Sequence, residues 1–443
     1  MTSDKRGIEH AETIFALASG SARAAVAVFR ISGPGSGTVL DRLAGHRPPA
    51  RRASLRRLRD ASGETLDRAI AVWFPGPGTY TGEDSAEVQV HGGHAVIAAV
   101  AAALVAAGAR PAEPGEFTRR AFLNGRMDLT MAEGVADLIE AESEEQRRQA
   151  LRQMEGALGT LYNGWSRRLM EVLAQQEALI DFPDEDLPPD VAAALEGEIA
   201  ALEQEISAHL SDNRRGERTR EGLRIAITGA PNVGKSSLLN RLLERDVAIV
   251  STIPGTTRDA LESRLVLGGM VMTMIDTAGL RETSDPIEAE GVRRARAHAA
   301  EADIVVVVRD AAMPAGSTAV NSIGSPHVIM VDNKIDLVPG RTLSGDIAVS
   351  ALTGEGMDAL RLALIEAAQN LSARAGPPPL TRARHRAALE AALVALSQAR
   401  GEASEELRAE ELRIALRMIG KVTGRIGVED ILGAIFSRFC IGK

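Results

Sequence analysis

The most definite chemistry in the sequence lies in Gly229-Ala230-Pro231-Asn232-Val233-Gly234-Lys235-Ser236. This run follows the β-type segment Arg224-Ile225-Ala226-Ile227 and precedes Ser237-Leu238-Leu239-Asn240, which reads as the start of a helix. A strand, a glycine-rich turn and a helix in that order form a phosphate cradle. The glycines let backbone N–H groups wrap a β-phosphate at the helix N-terminus, Lys235 sets a point charge on the β/γ oxygens, and the Ser236 hydroxyl reaches Mg²⁺.

Three further elements follow in the order that hydrolysis of a guanine nucleotide requires. Pro254-Gly255-Thr256-Thr257-Arg258-Asp259 offers Thr257 as a second hydroxyl for Mg²⁺. Asp276-Thr277-Ala278-Gly279 ends a strand-like run, with Asp276 near the metal and the Gly279 N–H on the γ-phosphate. In Asn333-Lys334-Ile335-Asp336 the Asp336 carboxylate can accept two N–H donors from guanine, whereas adenine would leave it unpaired. Ser350-Ala351-Leu352 would back the base with main-chain amides.

The residue that follows Asp276-Thr277-Ala278-Gly279 is Leu280, where Ras-type GTPases carry a water-orienting glutamine. A leucine hydrogen-bonds nothing, so another group must orient the water. The loop Arg281-Glu282-Thr283-Ser284-Asp285-Pro286-Ile287-Glu288 holds carboxylate and hydroxyl candidates, and the pattern does not choose among them. No arginine finger is evident in the chain itself. An alkali cation held by Asn232 and neighbouring carbonyls could neutralise the same charge; equally, Asn232 is an ordinary turn residue after Pro231.

The elements that must position these groups divide the chain. Its 443 residues, 45% hydrophobic and 25% charged, suit a soluble globular protein of two to four domains. The single cysteine, Cys440, excludes an intrachain disulfide. No signal-like or membrane-length apolar run is seen, so a cytoplasmic location without a membrane is expected. The net charge of −9 arises in the middle of the chain, while both ends are mildly basic, a pattern that permits an RNA contact without indicating one.

Residues 1–120 alternate β-type runs (24–29, 69–74, 87–90) with turns and an Ala-rich helix after His94, and read as a small α+β domain. Residues 121–221 read as helical. Leu151, Met154, Leu158, Leu161, Trp165, Leu169 and Val172 predict one apolar stripe on a long helix. Residues 222–375 alternate Val/Ile runs with helices, the signature of a mostly parallel sheet. Residues 376–443 are helical again, which predicts a discontinuous all-α domain with the α/β unit inserted in it.

With these motifs on the page, the sequence resembles the MnmE/TrmE family of tRNA-uridine-modifying GTPases over essentially its whole length. The ends carry the likeness: Arg30-Ile31-Ser32-Gly33-Pro34, Tyr80-Thr81-Gly82-Glu83-Asp84, His91-Gly92-Gly93, the run Glu116-Phe117-Thr118-Arg119-Arg120-Ala121-Phe122-Leu123-Asn124-Gly125-Arg126, and the final Cys440-Ile441-Gly442-Lys443. The resemblance implies a multidomain α/β protein with an N-terminal α+β folate-binding-like domain that forms a homodimer, and a Ras-like P-loop G domain.

It also implies a 5-formyltetrahydrofolate-type donor bound by Arg30, Glu87, Arg126 and Lys443. It implies Glu288 as the water-orienting acid, and a potassium ion on Asn232, Ser251, Ile253 and Thr256, in a loop that includes Thr252. The potassium would bridge two G domains. The implied partner is an FAD-dependent protein of the MnmG type, the substrate the wobble uridine of certain tRNAs, and Cys440 is tied to the modification reaction. One departure is Ser19-Gly20-Ser21-Ala22-Arg23-Ala24-Ala25, where the family has a Pro-Gly-Arg-Gly-Gly run.

The competing expectation is a ribosome or RNA assembly GTPase acting only as a switch. Such a protein needs an RNA-binding tail, and the candidate Gly424-Arg425-Ile426-Gly427 is flanked by helical patterns without the strands of a KH fold.

Overall fold

A computed structural model describes residues 12–20, 24–181, 190–245, 262–276, 302–313, 327–339, 345–372, 377–425, 429–437, 439 and 442. The first elements are β1 (Ile14–Leu17), β2 (Val26–Ser32), α1 (Ser36–Ala44), β3 (Ser54–Arg59), β4 (Thr65–Phe74), β5 (Ser85–His91), α2 (His94–Ala106), β6 (Arg110–Pro111) and α3 (Glu116–Leu123). Helices α4 (Leu129–Glu140), α5 (Glu144–Met154), α6 (Ala157–Asp181), α7 (Asp190–Leu210) and α8 (Arg215–Glu221) come next. An α/β run follows: β7 (Leu223–Gly229), α9 (Lys235–Arg245), β8 (Glu262–Leu267), β9 (Met270–Asp276), β10 (Ile304–Asp310), β11 (Val328–Asn333), β12 (Ile347–Val349) and α10 (Met357–Ser372). The last described elements are α11 (Ala383–Gly401), α12 (Glu405–Thr423) and α13 (Glu429–Phe436). The fold is a multidomain α/β one with an inserted P-loop G domain. Of the segments around Gly424, the one before it ends a helix at Thr423 and the next described helix begins at Glu429.

Contacts group the chain into two compact units: residues 1–136 with 153–167 and 416–443, and residues 137–152 with 168–415. In the first, six strands run in the order β3-β4-β5-β2-β1-β6, antiparallel except for the parallel β1/β6 pair. Alternation places Ala27, Phe29 and Ile31 of β2 and Ala86, Val88 and Val90 of β5 in one core with Leu40 of α1 and Leu104 of α2. The period of two then sends Arg30 and Glu87 to the opposite face.

The apolar stripe over 151–172 does not lie on one helix. It is broken at Gly156, whose φ of +87° lies in the left-handed region, so α5 ends and α6 begins there. The periodicity survives because the buried residues Leu158, Trp165, Leu169 and Val172 all follow the break. Buried Gln153, off that stripe, donates to the Thr130 carbonyl at 2.9 Å and ties α5 to α4.

In the second unit the sheet order is β12-β11-β10-β7-β9-β8, parallel throughout except for the antiparallel edge strand β8. Ile304, Val306 and Val308 face one core while Val305 and Val307 face another, as near-continuous Val/Ile runs require when both faces are covered. Helices α7 and α11 pack together, with His209 and His385 both buried.

Burial presses the His209 ring down to a pKa of about 4, and proximity to His385 and Arg386 adds to that against the opposing pull of Asp212. Below pH ~6.5 the unfolded chain therefore binds a proton that the folded chain refuses until about pH 4. The stability is present in full above pH ~6.5 and declines as the pH falls toward 4. A His209→Phe variant should lose on the order of 3 kcal/mol of the pH 7 to pH 4 difference in unfolding free energy, measured by urea denaturation. An unchanged pH dependence would sink this account of the histidine.

Candidate functional site

The carboxyl ends of the parallel strands bring the sequence motifs into one row. Asp276 of β9 stands opposite Ile227 of β7, Gly229 opposite Val308 of β10, Asp310 opposite Asn333 of β11, and Asn333 opposite Val349 of β12. This edge is where open α/β sheets bind ligands.

The loop from β7 to α9 has a fixed shape for identifiable reasons. At Gly229, with φ +148°, a Cβ would stand 2.2 Å from the Val308 carbonyl oxygen. At Gly234, with φ +95°, a Cβ would stand 2.3 Å from Asn333 Nδ2. Asn232 holds a left-handed φ of +62° and is exposed. Buried Val233 anchors the turn, and Ser236 and Ser237 are exposed in the first turn of α9. Lys235 Nζ donates to the carbonyls of Gly229 (3.0 Å) and Ala230 (2.9 Å), so its ammonium stands over the loop.

The Asn333–Asp336 segment ties the loops together. Asn333, only 2% exposed, donates through Nδ2 to the Val233 carbonyl (2.8 Å) and accepts from the Ala351 N–H (3.0 Å). Lys334 takes a left-handed φ of +67° and donates to the Asn232 carbonyl and to Asp310 Oδ2, both at 2.7 Å. Burial works against the charged form of Asp310, but Lys334 and the Ala312 N–H outweigh it and hold the carboxyl below its ordinary value. Ile335 and Asp336 open a short 3-10 turn, where Asp336 is exposed. Ser350 is fully buried and its hydroxyl accepts from the Thr353 N–H at 3.1 Å, while Leu352 is exposed.

The structure thus brings together Asn232, Val233, Gly234, Lys235, Ser236, Ser237, Asn333, Lys334, Ile335, Asp336, Ser350, Ala351 and Leu352, with the backbone of Asp276 at the same edge. Ser251, Thr252, Ile253, Pro254, Gly255, Thr256, Thr257, Thr277, Ala278, Gly279, Glu288, Cys440 and Lys443 lie outside the described residues. Asp310 was not anticipated; the signal for it is a carboxylate closing the Val305–Val308 run, where a strand ends at the ligand edge.

A second cluster lies on the face of the N-terminal sheet opposite the Phe29–Val88 core. Arg30 and Glu87 are cross-strand neighbours, with Arg30 Nε 3.4 Å from Glu87 Oε1. The Arg30 guanidinium lies 5.4 Å from the Tyr80 ring centroid and 5.8 Å from that of Phe117. Arg126 is exposed, and its aliphatic stem runs beside Gly82, where a Cβ would meet Arg126 Cγ at 3.3 Å. Gly442, with φ +98°, lies against Leu17, next to the Ala16–Arg30 pair of the sheet.

Beneath this cluster the other motif residues bind one another. Ser32 Oγ donates to Glu83 at 2.8 Å, and Arg120 donates to Glu83, Glu116 and the Glu12 carbonyl. Arg110 donates to both oxygens of Glu116. Burial alone would raise the Glu116 pKa, but Arg110, the Glu113 N–H and Arg120 hold it below the usual carboxylate value. Among the described residues no group of three or more His, Cys, Asp or Glu is placed to hold a metal by itself, and no helix is long and apolar enough to cross a membrane.

Two family models match the chain. One is described as the GTP-binding protein TrmE N-terminus, over residues 13–126, and the other as the MnmE helical domain, over residues 129–440. The chain is 58% identical to a tRNA modification GTPase MnmE of Gluconacetobacter diazotrophicus over 97% of its own length and 98% of the relative's. It is 55% identical to a protein of the same name from Granulibacter bethesdensis, with 98% and 99% covered, and 52% identical to one from Rhodospirillum rubrum, again with 98% and 99% covered.

Replacing Asn333 by alanine would leave the Val233 carbonyl and the Ala351 N–H without the partner they share. We expect a loss of about 2–6 kcal/mol in unfolding free energy, at about 1–3 kcal/mol per orphaned buried group, together with weaker guanine-nucleotide binding. Denaturant titration beside a fluorescent-GDP titration checks both. A stable variant with parental affinity would mean the side chain does not couple the loops.

Proposed function

The chain belongs to the MnmE family of tRNA modification GTPases, and from that premise we propose that it couples GTP hydrolysis to modification of C5 of the wobble uridine in certain tRNAs. The observation that supports this reading best is the row of groups along the carboxyl edge of the β7–β12 sheet, where Lys235, Asn333 and Lys334 are tied to the β7–α9 loop and Asp336 stands on the turn after β11.

In this reading the amides around Gly234 and the Lys235 ammonium hold the β- and γ-phosphates. Asp336, exposed on its turn, accepts the two guanine N–H donors, while the Ala351 and Leu352 amides back the base. Ser236, Thr257 and Asp276 are hard oxygen donors of the kind Mg²⁺ prefers, and its place in the exposed first turn of α9 suits Ser236 to that role. Bound Mg²⁺ would supply charge neutralisation on the β/γ-phosphates. We assign the potassium ion to Asn232, Ser251, Ile253 and Thr256; the exposed Asn232 amide on a left-handed residue fits that role. Glu288 orients the attacking water that Leu280 cannot, and hydrolysis proceeds when two G domains meet.

The N-terminal part, residues 1–120, is assigned to homodimer formation and to a 5-formyltetrahydrofolate-type donor. Arg30, Glu87, Arg126 and Lys443 would line that site. A carboxylate paired with a guanidinium flanked by two aromatic rings fits a pterin edge and its ring face. Cys440 is assigned to the modification chemistry, carried out with an MnmG-type flavoprotein in the cytoplasm.

Replacing Glu288 by alanine should lower single-turnover GTP hydrolysis by roughly 10²-fold or more with nucleotide affinity almost unchanged, since a water-orienting group acts in the transition state. An equal loss of affinity would make the residue structural. Turnover should also be faster in potassium chloride than in sodium chloride of the same ionic strength; equal rates would remove the monovalent ion from the mechanism.

A further inference from the structure

Residues 51–59 hold five arginines, Arg51, Arg52, Arg56, Arg57 and Arg59, and no Asp or Glu, in a chain whose net charge is −9. Strand β3, at the edge of the N-terminal sheet, carries most of this segment. Alternation points Leu58 into the core and leaves Leu55, Arg57 and Arg59 exposed. Across the antiparallel pair Arg57 stands directly opposite Arg68 of β4, and like charges so placed destabilise a sheet.

Nothing nearby relieves that repulsion. Among the described residues no carboxylate lies within ion-pair distance of Arg52, Arg56, Arg57, Arg59 or Arg68. Of the three acids in the same hairpin, Glu64 stands in the turn and makes no ion pair with these arginines among the described residues, and the other two are committed elsewhere. Asp60 accepts from the Ser62 and Glu64 N–H groups in the turn, and Asp67 accepts from the His91 N–H and binds the His91 ring at 2.8 Å. Edge strands do carry charge to discourage pairing with other sheets. That explains Arg57 and Arg59 but not Arg68, because β4 is an inner strand already paired on both sides.

We propose that the β3–β4 arginine face is a docking surface for the phosphate backbone of the tRNA substrate. The inference rests on the tRNA reading above and adds the place of contact. Guanidinium groups pair bidentately with phosphate oxygens, and residues two apart on one strand face lie about 7 Å from each other, so the face presents a fixed array of donors. A protein partner fits less well. Leu55 and Ile70, 69% and 40% exposed, are the large apolar side chains that flank the arginine pair, too few for the ~800 Å² per partner of a stable interface.

The test uses the full-length chain and an unmodified tRNA transcript with uridine at the wobble position, with binding measured from about 50 to 200 mM salt. The double variant R57S/R68S should bind about 5- to 20-fold more weakly at 100 mM salt, with the slope of log K against log salt reduced by about 1 to 2, and R57K/R68K should keep most of the parental slope. GTP hydrolysis without tRNA and the melting temperature should not fall. Parental affinity and slope in R57S/R68S would overturn the proposal, as would a change in sedimented mass, which would mark the face as a contact between copies. If the unaltered chain fails to bind tRNA, the tRNA reading itself falls, and this site with it.

Discussion

One buried carboxamide sets the spacing on which the nucleotide site depends. Asn333 reaches from the end of β11 to the Val233 carbonyl on one side and the Ala351 N–H on the other. These two groups belong to the β7–α9 loop and to the loop after β12, so the spacing between the segments proposed for the phosphates and for the base is set inside the protein. The same side chain explains the glycine at 234, since any Cβ there would overlap Asn333 Nδ2. Lys334 adds a second tie, joining the Asn232 carbonyl to Asp310 on the neighbouring strand. Two adjacent residues therefore connect three loops at the ends of parallel strands, and a shift in one loop must be felt in the others.

The N-terminal unit solves a comparable problem with charge. Glu83, Glu116, Arg110 and Arg120 form a partly buried network in which each ion meets more than one partner. Burying charges is costly and seldom stabilises a fold beyond what apolar residues would give, but deleting one member leaves the others uncompensated. Several residues that look like binding motifs, Ser32, Glu83, Glu116 and Arg120 among them, spend their hydrogen-bonding capacity on each other.

How far the sequence could be read follows from where its signals are local. The strand, glycine turn and helix around Gly229–Ser236 is a contiguous pattern, and the Val/Ile runs at 304–308 and 328–331 declare a two-sided sheet, so both were legible. Strand β3 was not, because its leucines lie three apart, at 55 and 58, with adjacent arginines between them, and show no period of two. The short β1 and β6 were missed for want of length, and the edge strand β8 because it opens on the polar run Glu262-Ser263-Arg264 rather than a Val/Ile run. The stripe over 151–172 was read as one helix because Gly156 interrupts the backbone without interrupting the apolar period. Asp310 and the Asn333 bridge join residues 24 and 100 positions from their partners, and no periodic pattern records such a pair.

These observations divide the labour of the G domain along the chain. The cradle, the lysine over it and the loops beside the base are held by hydrogen bonds internal to the protein, so a nucleotide entering them need order little, and preorganisation of that kind contributes to affinity. Of the groups proposed for the water and the monovalent ion, Asn232 belongs to the cradle, while Glu288, Ser251, Ile253 and Thr256 come from other parts of the sequence, and among the described residues neither Asn333 nor Lys334 hydrogen-bonds through its side chain to Asp336, the residue proposed for the base. A site built in this way can bind its nucleotide tightly through one set of residues while its rate is controlled by another. Leu280 is then no defect in the site. With an apolar residue at that position, the proposed mechanism makes hydrolysis depend on an acid supplied from elsewhere in the chain, and the chemical step is then its natural point of control.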